Sequence, residues 1–331
     1  MQTRRLAGRD VSAIGLGCMS LSHAYGSPPP REDGIRLLNH ALDAGCTFFD
    51  TAALYGFGAN ETLVGEAISH RRSEFFLASK CGIFRGPDGK RLIDGRPETL
   101  RRTCDDSLRR LKTEVIDLYY LHRWDKQVPV EESVGALADL VRAGKIRAIG
   151  LSEVSAGTLR KAHAVHPIAA VQSEYSLWTR NPEVAVLAAC RELGAAFVAF
   201  GAVGRGFLAG GVKDPGSLVE TDIRRAMPRF QGEAFQKNLG LLPALFQIAR
   251  EHDCTPAQVA LAWVMARGDH VIPIPGTTRI DHFDEDFAAA DIQLAPTTLT
   301  KLDELINPTT VSGARYNPAG QADVDTEELV A

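Results

Sequence analysis

The chain has 331 residues, 45% of them hydrophobic and 24% charged, which is enough for a large core in one big domain or two ordinary ones. Its 37 basic and 41 acidic residues leave a net charge of −4, so no basic excess points to nucleic acid as a partner. The longest apolar stretch, 195–203, is too short to span a membrane, and no apolar run follows the N-terminal arginines, so this stretch is not expected to act as a secretory signal.

Residues 6–14 read as a small hairpin with a glycine-containing turn, and 14–19 as a short strand broken by glycines. Ile35, Leu37, Leu38, Ala41 and Leu42 recur at helical spacing, which predicts a helix over 32–44 stopped by Gly45. Thr47, Phe48 and Phe49 suit a short buried strand with Asp50 at its C-terminal tip and Tyr55 in the loop beyond. Asn60 is read as the cap of the next helix, whose inner face carries Leu63, Val64, Ala67 and Ile68. The alternation then repeats: strand 75–80, helix 97–111 with proline in its first turn, strand 115–122, helix 131–143, strand 146–152, helix 156–165. Strand 169–174, helix 182–193 and strand 195–201 follow, and then a long connection over 205–238. Helices 239–251 and 256–266, the second capped by Thr255, precede a last short strand at 271–274 and a helix at 281–290. A further helix over 296–305 and a mildly acidic polar tail complete the chain.

Eight strand–helix units with no composition break imply a parallel sheet, and at this length a closed (β/α)8 TIM barrel. The expected organisation is one α/β domain over 1–331, with an N-terminal hairpin (1–14), extra C-terminal helices and a C-terminal tail (307–331). Such barrels carry their sites on the loops at the strand C-terminal ends. The strand tips here deliver Asp50 and Tyr55, then Lys80, His122, Ser152-Glu153, and Gln172 with Glu174 and Tyr175 beyond it. The last two open into Gly204-Arg205-Gly206-Phe207-Leu208 and Pro275-Gly276-Thr277-Thr278-Arg279.

One polar strand tip is commonplace, but aspartate, tyrosine, lysine and histidine arriving together are specific. A free phenol has a pKa of about 10, and a nearby ammonium lowers it. Asp50 would keep Lys80 charged, Lys80 would acidify Tyr55, and Tyr55 would protonate a developing alkoxide, with His122 placing the carbonyl oxygen. No nucleophilic serine or cysteine motif competes. The six scattered cysteines form no Cys-x-x-Cys or His–Cys cluster, so no metal is expected, and they read as reduced core residues of a cytoplasmic protein. Proton donation to a carbonyl needs a hydride, and the remaining tips look like a cofactor site.

The sequence resembles the aldo-keto reductase family over nearly its whole length. The segments that carry this are Asp50-Thr51-Ala52-Ala53-Leu54-Tyr55-Gly56, Ser79-Lys80, Asp117-Leu118-Tyr119-Tyr120-Leu121-His122-Arg123, Gly144-Lys145-Ile146-Arg147-Ala148-Ile149-Gly150-Leu151-Ser152, Gln172-Ser173-Glu174-Tyr175-Ser176, Gly204-Arg205-Gly206-Phe207-Leu208 and Ile272-Pro273-Ile274-Pro275-Gly276-Thr277-Thr278-Arg279. The resemblance implies a barrel that binds NADPH/NADP+ in an extended pose and reduces aldehydes or ketones, with the tetrad on Asp50, Tyr55, Lys80 and His122. It also implies that Ser152, Glu153 and Gln172 meet the nicotinamide carboxamide and that Tyr175 stacks on the nicotinamide ring. Gly201, Gly204, Arg205, Gly206 and Leu208 would wrap the pyrophosphate. Gly276, Thr277 and Arg279 would meet the 2′-phosphate near a helix start, and Glu285 and Asp286 the adenine.

Three positions depart from the family's usual pattern: Glu153 and Asp286 stand where asparagine is common, and Gly201-Ala202 where Ser-Pro is frequent. Met19, Tyr25, Phe57, Phe84, Trp124 and Trp178 are candidates to line an apolar substrate pocket for a small-molecule carbonyl compound. A second reading is a cofactor-binding regulatory subunit resembling the potassium-channel β subunits, and a third is alcohol oxidation on the same residues. The oligomeric state is not legible in the sequence.

Overall fold

The computed structural model describes residues 2–22, 24–86 and 91–329. The N-terminal hairpin pairs β1 (Thr3–Leu6) with β2 (Arg9–Ser12). Its two-residue turn, Ala7-Gly8, has positive φ at both positions, which suits the twist of the flanking strands. The barrel strands follow: β3 (Leu16–Gly17), β4 (Phe48–Asp50) and β5 (Phe76–Cys81). A small antiparallel hairpin, β6 (Ile83–Arg85) with β7 (Arg91–Ile93), comes next, in a stretch where no periodicity signalled strands. The barrel resumes with β8 (Leu118–Leu121), β9 (Ile149–Ser152), β10 (Ile168–Glu174), β11 (Ala196–Phe200) and β12 (Val271–Pro273).

These eight barrel strands are parallel neighbours in sheet order β3-β4-β5-β8-β9-β10-β11-β12. The backbone bonds Gly15 N–H to Pro273 O and Gly17 N–H to Pro275 O, both 3.0 Å, join the last strand to the first. Gly17 is required there: a Cβ would lie 2.8 Å from the carbonyl oxygen of Ile274. The result is the expected (β/α)8 barrel.

The helices are α1 (Arg31–Asp43), α2 (Ala59–Ile68), α3 (Pro97–Leu111), α4 (Val130–Arg142), α5 (Ala156–Val165) and α6 (Val186–Leu193). They continue with α7 (Gly232–Leu239), α8 (Leu242–Glu251), α9 (Pro256–Met265), α10 (Ile280–Ala288), α11 (Pro296–Leu305) and α12 (Pro318–Ala322). None is long and apolar enough to cross a membrane among the described residues.

Several expectations need correction. Asn60 is no cap: Gly58 (φ +97°) holds that place, and Asn60 lies buried inside α2, its amide donating to Cys18 O and Ser22 Oγ. The helix predicted over 182–193 begins only at Val186, after a single turn around Pro182. The long connection is not irregular throughout, since it contains α7 and short 3-10 turns. The polar tail is not loose: it contains α12 and runs back across the barrel, where Val154 and Asp325 form a parallel bridge.

Two apolar layers result. Phe48, Phe76, Ala78, Leu118, Tyr120, Ala170, Ala196, Val198, Ile272 and Ile274 fill the barrel interior, and Leu6 and Val11 of the hairpin close its lower end. Leu77, Tyr119, Leu121, Ile149, Leu151, Val171, Phe197 and Val271 face the helices. Successive strand side chains point to opposite faces, so even-numbered positions point inward on β4, β5, β8, β9, β11 and β12, and on β10 from Ala170 onward.

Candidate active site

That alternation carries Asp50, Lys80, His122, Ser152, Gln172 and Glu174 to the inner face at the strand C-terminal ends. Each is buried. Lys80 Nζ donates to Asp50 Oδ1, to Thr51 O at 2.8 Å and to Tyr55 Oη at 3.1 Å. Gln172 Nε2 donates to the other Asp50 oxygen at 2.8 Å. The Tyr55 and His122 rings meet edge to face with centroids 5.9 Å apart. The four residues expected to form one constellation therefore do so.

Their electrostatics differ from the simple expectation in one respect. Burial pushes the Tyr55 phenol above its ordinary pKa, and Lys80 and Arg123 only partly pull it back. Lys80 does not produce an unusually acidic phenol here; it offsets the effect of burial. Burial also raises Asp50, against the pull of Lys80. For Lys80, burial favours the neutral amine, but Asp50 and Tyr55 together carry its pKa above the ordinary value. The ammonium is thus favoured by its buried partners.

The positions expected to meet a cofactor divide into two groups. Ser152 and Gln172 lie beside the constellation, and Ser152 Oγ accepts from Arg123 Nη1 at 3.2 Å. Gly201, Gly204, Arg205 and Gly206 all have positive φ, so the chain curls tightly at the exit of β11. The Arg205 side chain turns inward, pairing with Glu174 and donating to Tyr25 Oη (2.8 Å) and Tyr316 Oη (3.0 Å). Thr277 Oγ1 accepts from Arg279 N at 3.1 Å at the start of α10, and Gly276 beside it is exposed. The Arg279 guanidinium forks onto Asp281. Asp286 faces a recess lined by Ile14, Leu16, Thr277 and Phe283. Burial, and then the charge of Glu285, pushes its pKa up to about 7. A protonated carboxyl donates as well as accepts, so the departure from asparagine costs fewer donors than expected.

Other residues are placed differently. Tyr175 has no exposed surface; it packs between Phe197 and Trp263 and donates to Glu183 Oε1 at 2.6 Å. One residue past the end of β10, it packs into the helix-facing layer, so it cannot stack on a ligand in the mouth. Leu208 is fully buried, and its amide donates to Val203 O at 3.3 Å. Glu153 has φ +56° and is buried beneath the rim, where its carboxylate accepts from Glu174 N at 2.8 Å and from Arg315. It therefore offers a carboxamide no surface. Glu285 Oε1 accepts from Thr255 Oγ1 at 2.7 Å, which ties α10 to α9.

Among the substrate candidates, Met19 packs against the cluster of Ala52, Leu54, Tyr55 and Ile83. Phe57, two residues after Tyr55, is 44% exposed. Trp124 is half-buried and donates to Val128 O at 2.8 Å. Tyr25 belongs to the Arg205 side of the mouth, under the Arg224 guanidinium. Phe84 lies on the face of β6 opposite Ile83, which is the residue that meets the Tyr55 cluster. Trp178 is 3% exposed, stacked on Phe207 at 4.2 Å, and is core rather than pocket.

Three residues of the site were missed. Phe200 continues the inner face of β11 at a half-buried position in the mouth, and the spacing from Ala196 and Val198 could have found it. Arg123, directly after His122, bridges His122 O and Ser152 Oγ; its charge at a strand tip was the available signal. Arg315 lies 162 residues from its partner Glu153, and no local pattern announces it.

The chain was compared with known proteins. The model of the aldo/keto reductase family matches residues 13–307. An aldo-keto reductase of Schizosaccharomyces pombe named yakc [NADP(+)] is 44% identical over 322 residues, 96% of this chain and 94% of that one. The solved glycerol dehydrogenase AKR11B4 of Gluconobacter oxydans matches with a TM-score of 0.85 at 28% identity, over 96% of this chain and 98% of its own. An aldo-keto reductase of Klebsiella pneumoniae, solved in complex with NADPH, matches with a TM-score of 0.74 at 28% identity, over 96% and 98% of the two chains.

Proposed function

Because the chain belongs to the aldo/keto reductase family, we propose that it reduces an aldehyde or ketone to the alcohol, acting as one domain with Tyr55 as the proton donor. It is an NADP-dependent oxidoreductase, in line with the named cofactor of its relative and the bound cofactor of its structural neighbour. NADPH, when bound, supplies the hydride. The observation that carries the assignment of Tyr55 is the buried contact of Lys80 Nζ with both Asp50 and Tyr55 Oη.

The residues present fit the cofactor. Ser152 and Gln172 would hold the carboxamide, and Phe200, on the inner face of the mouth, would lie against the nicotinamide ring. The curl at Gly201, Gly204 and Gly206 leaves backbone open to a pyrophosphate: a Cβ at Gly206 would approach nothing closer than Arg224 Nη1 at 3.5 Å. Thr277, Arg279 and the start of α10 would receive the 2′-phosphate, with Asp281 giving up part of the Arg279 fork.

In the reduction, Asp50 holds Lys80 charged, and the ammonium steadies the Tyr55 oxygen as its proton passes to the carbonyl oxygen. His122 borders the same space edge-on to Tyr55 and orients that oxygen. Met19 and Phe57 border the Tyr55 side, favouring apolar carbonyl compounds. The reverse oxidation uses the same groups. A cytoplasmic location fits the chain's free cysteines.

The test is a panel of aldehydes and ketones with NADPH, followed by absorbance of the reduced nicotinamide. Tyr55→Phe should lower kcat by about 10²–10⁴-fold, the range for a general acid, with NADPH binding nearly intact. Retained turnover would remove Tyr55 from this role.

A further inference from the structure

Glu153 touches both the sheet and the tail. Its N–H donates to Gln172 O and its carbonyl accepts from Asp325 N, both at 2.9 Å. Its carboxylate accepts from Glu174 N at 2.8 Å and from both terminal nitrogens of Arg315. It therefore holds the two peptide units on either side of Ser173, the first of which begins at the carbonyl of Gln172. The left-handed backbone at Glu153 turns the side chain under the rim instead of into the mouth.

Arg315 is the necessary complement. Its side chain is 6% exposed and that of Glu153 is fully buried. A carboxylate so placed needs a cation. Glu174, beside it, is already paired with Arg205. Arg315 also lies outside residues 13–307, the stretch matched by the family model. The departure at 153 from the family's usual asparagine and the arginine of the tail are thus two halves of a single arrangement.

We propose that Arg315 is a positioning residue for the reaction. Through Glu153 it fixes the seat of Ser152 and Gln172, and so makes the C-terminal tail part of the cofactor-holding rim. The path is continuous: Arg315 holds Glu153, Glu153 holds the β10 backbone on either side of Ser173, Gln172 holds Asp50, and Asp50 holds Lys80. The tail is itself anchored independently: Lys126 Nζ donates to Ala322 O and Val324 O, Asp325 accepts from the amide of Ser155, which caps α5, and Glu327 from that of Ala156, its first residue. Loss of Arg315 alone therefore leaves other ties that hold the tail in place.

The inference rests on the carbonyl-reductase reading for its kinetic arm, and an equilibrium arm keeps it separately testable. NADPH affinity is measured by fluorescence quenching for the wild type, Arg315→Met, Arg315→Lys, Glu153→Gln and the double variant Glu153→Gln/Arg315→Met, each after confirming a folded barrel by circular dichroism. Arg315→Met should weaken NADPH binding about tenfold, Arg315→Lys less, and the double variant should recover most of the loss, because no charge is then stranded. With a turned-over aldehyde, KM for NADPH should rise more than kcat falls. If Arg315→Met lowers only the melting temperature, with NADPH affinity and KM unchanged, the residue is merely structural and the proposal fails. Additive losses in the double variant would also overturn it. If the wild type reduces no carbonyl compound, the functional reading fails, and the binding arm still decides the role of Arg315.

Discussion

Burial acts on Tyr55 and Asp286 in the same sense, because each is neutral when protonated, yet the consequences differ. Burial moves Tyr55 further above the ordinary phenol value, against the pull of Lys80, and so favours the protonated donor. Asp286, with a pKa of about 7, changes charge near neutrality. An unfolded aspartate titrates near 3.9, so between that pH and about 7 the folded chain binds the extra proton. The contribution to stability is fully present below the unfolded value and is lost as pH rises through about 7. Asp286→Asn should therefore leave the melting temperature nearly unchanged at pH 5 and raise it at pH 8.5, by on the order of 2–4 °C. Thermal melts at the two pH values check this, and an equal gain at both would contradict it.

At the scale of the strand, the period-two alternation is what the sequence transmits best. The polar tips at 50, 80, 122, 152 and 172 share a parity with the inward apolar residues, and all point into the mouth. Tyr175, one residue past the end of β10, breaks that parity and packs with the helix-facing layer; continuing the count from Ala170 would have shown it. Resemblance to a motif carried the residue into the site where the pleat excludes it. Asn60 and α7 were harder to read, because a capping residue type and a long polar connection look alike whether or not tertiary contacts take them up. Arg315 left no local trace, since an ion pair across 162 residues has no periodicity.

The same pleat makes a testable demand at Gly150 on β9. A Cβ there would stand 2.3 Å from Cδ1 of Tyr120, whose ring lies 5.9 Å from Lys80 Nζ. Gly150→Ala should cost about 1–3 kcal/mol by overpacking and reduce turnover by displacing that ring. Gly157, on α5, has only Ser155 Oγ near its would-be Cβ, at 3.8 Å. Gly157→Ala should instead stabilise by about 0.5–1 kcal/mol. Urea denaturation of the two variants distinguishes them, and equal effects would refute the packing account.

For the molecule as a whole, the closing bonds between β3 and β12 make each strand a neighbour of two others. No seam then divides the chain into separable halves, so unfolding in urea is expected as a single transition, coincident by tryptophan fluorescence and circular dichroism. Two separated transitions would argue for independent units. The tail that ends on α5 adds a constraint of another kind. Ribosomes make Glu153 long before Arg315, so all eight strands emerge while that carboxylate still lacks its guanidinium. A polypeptide not yet extended to Arg315 would carry Glu153 under the rim without its partner, and its hold on NADPH would tighten once that guanidinium arrives.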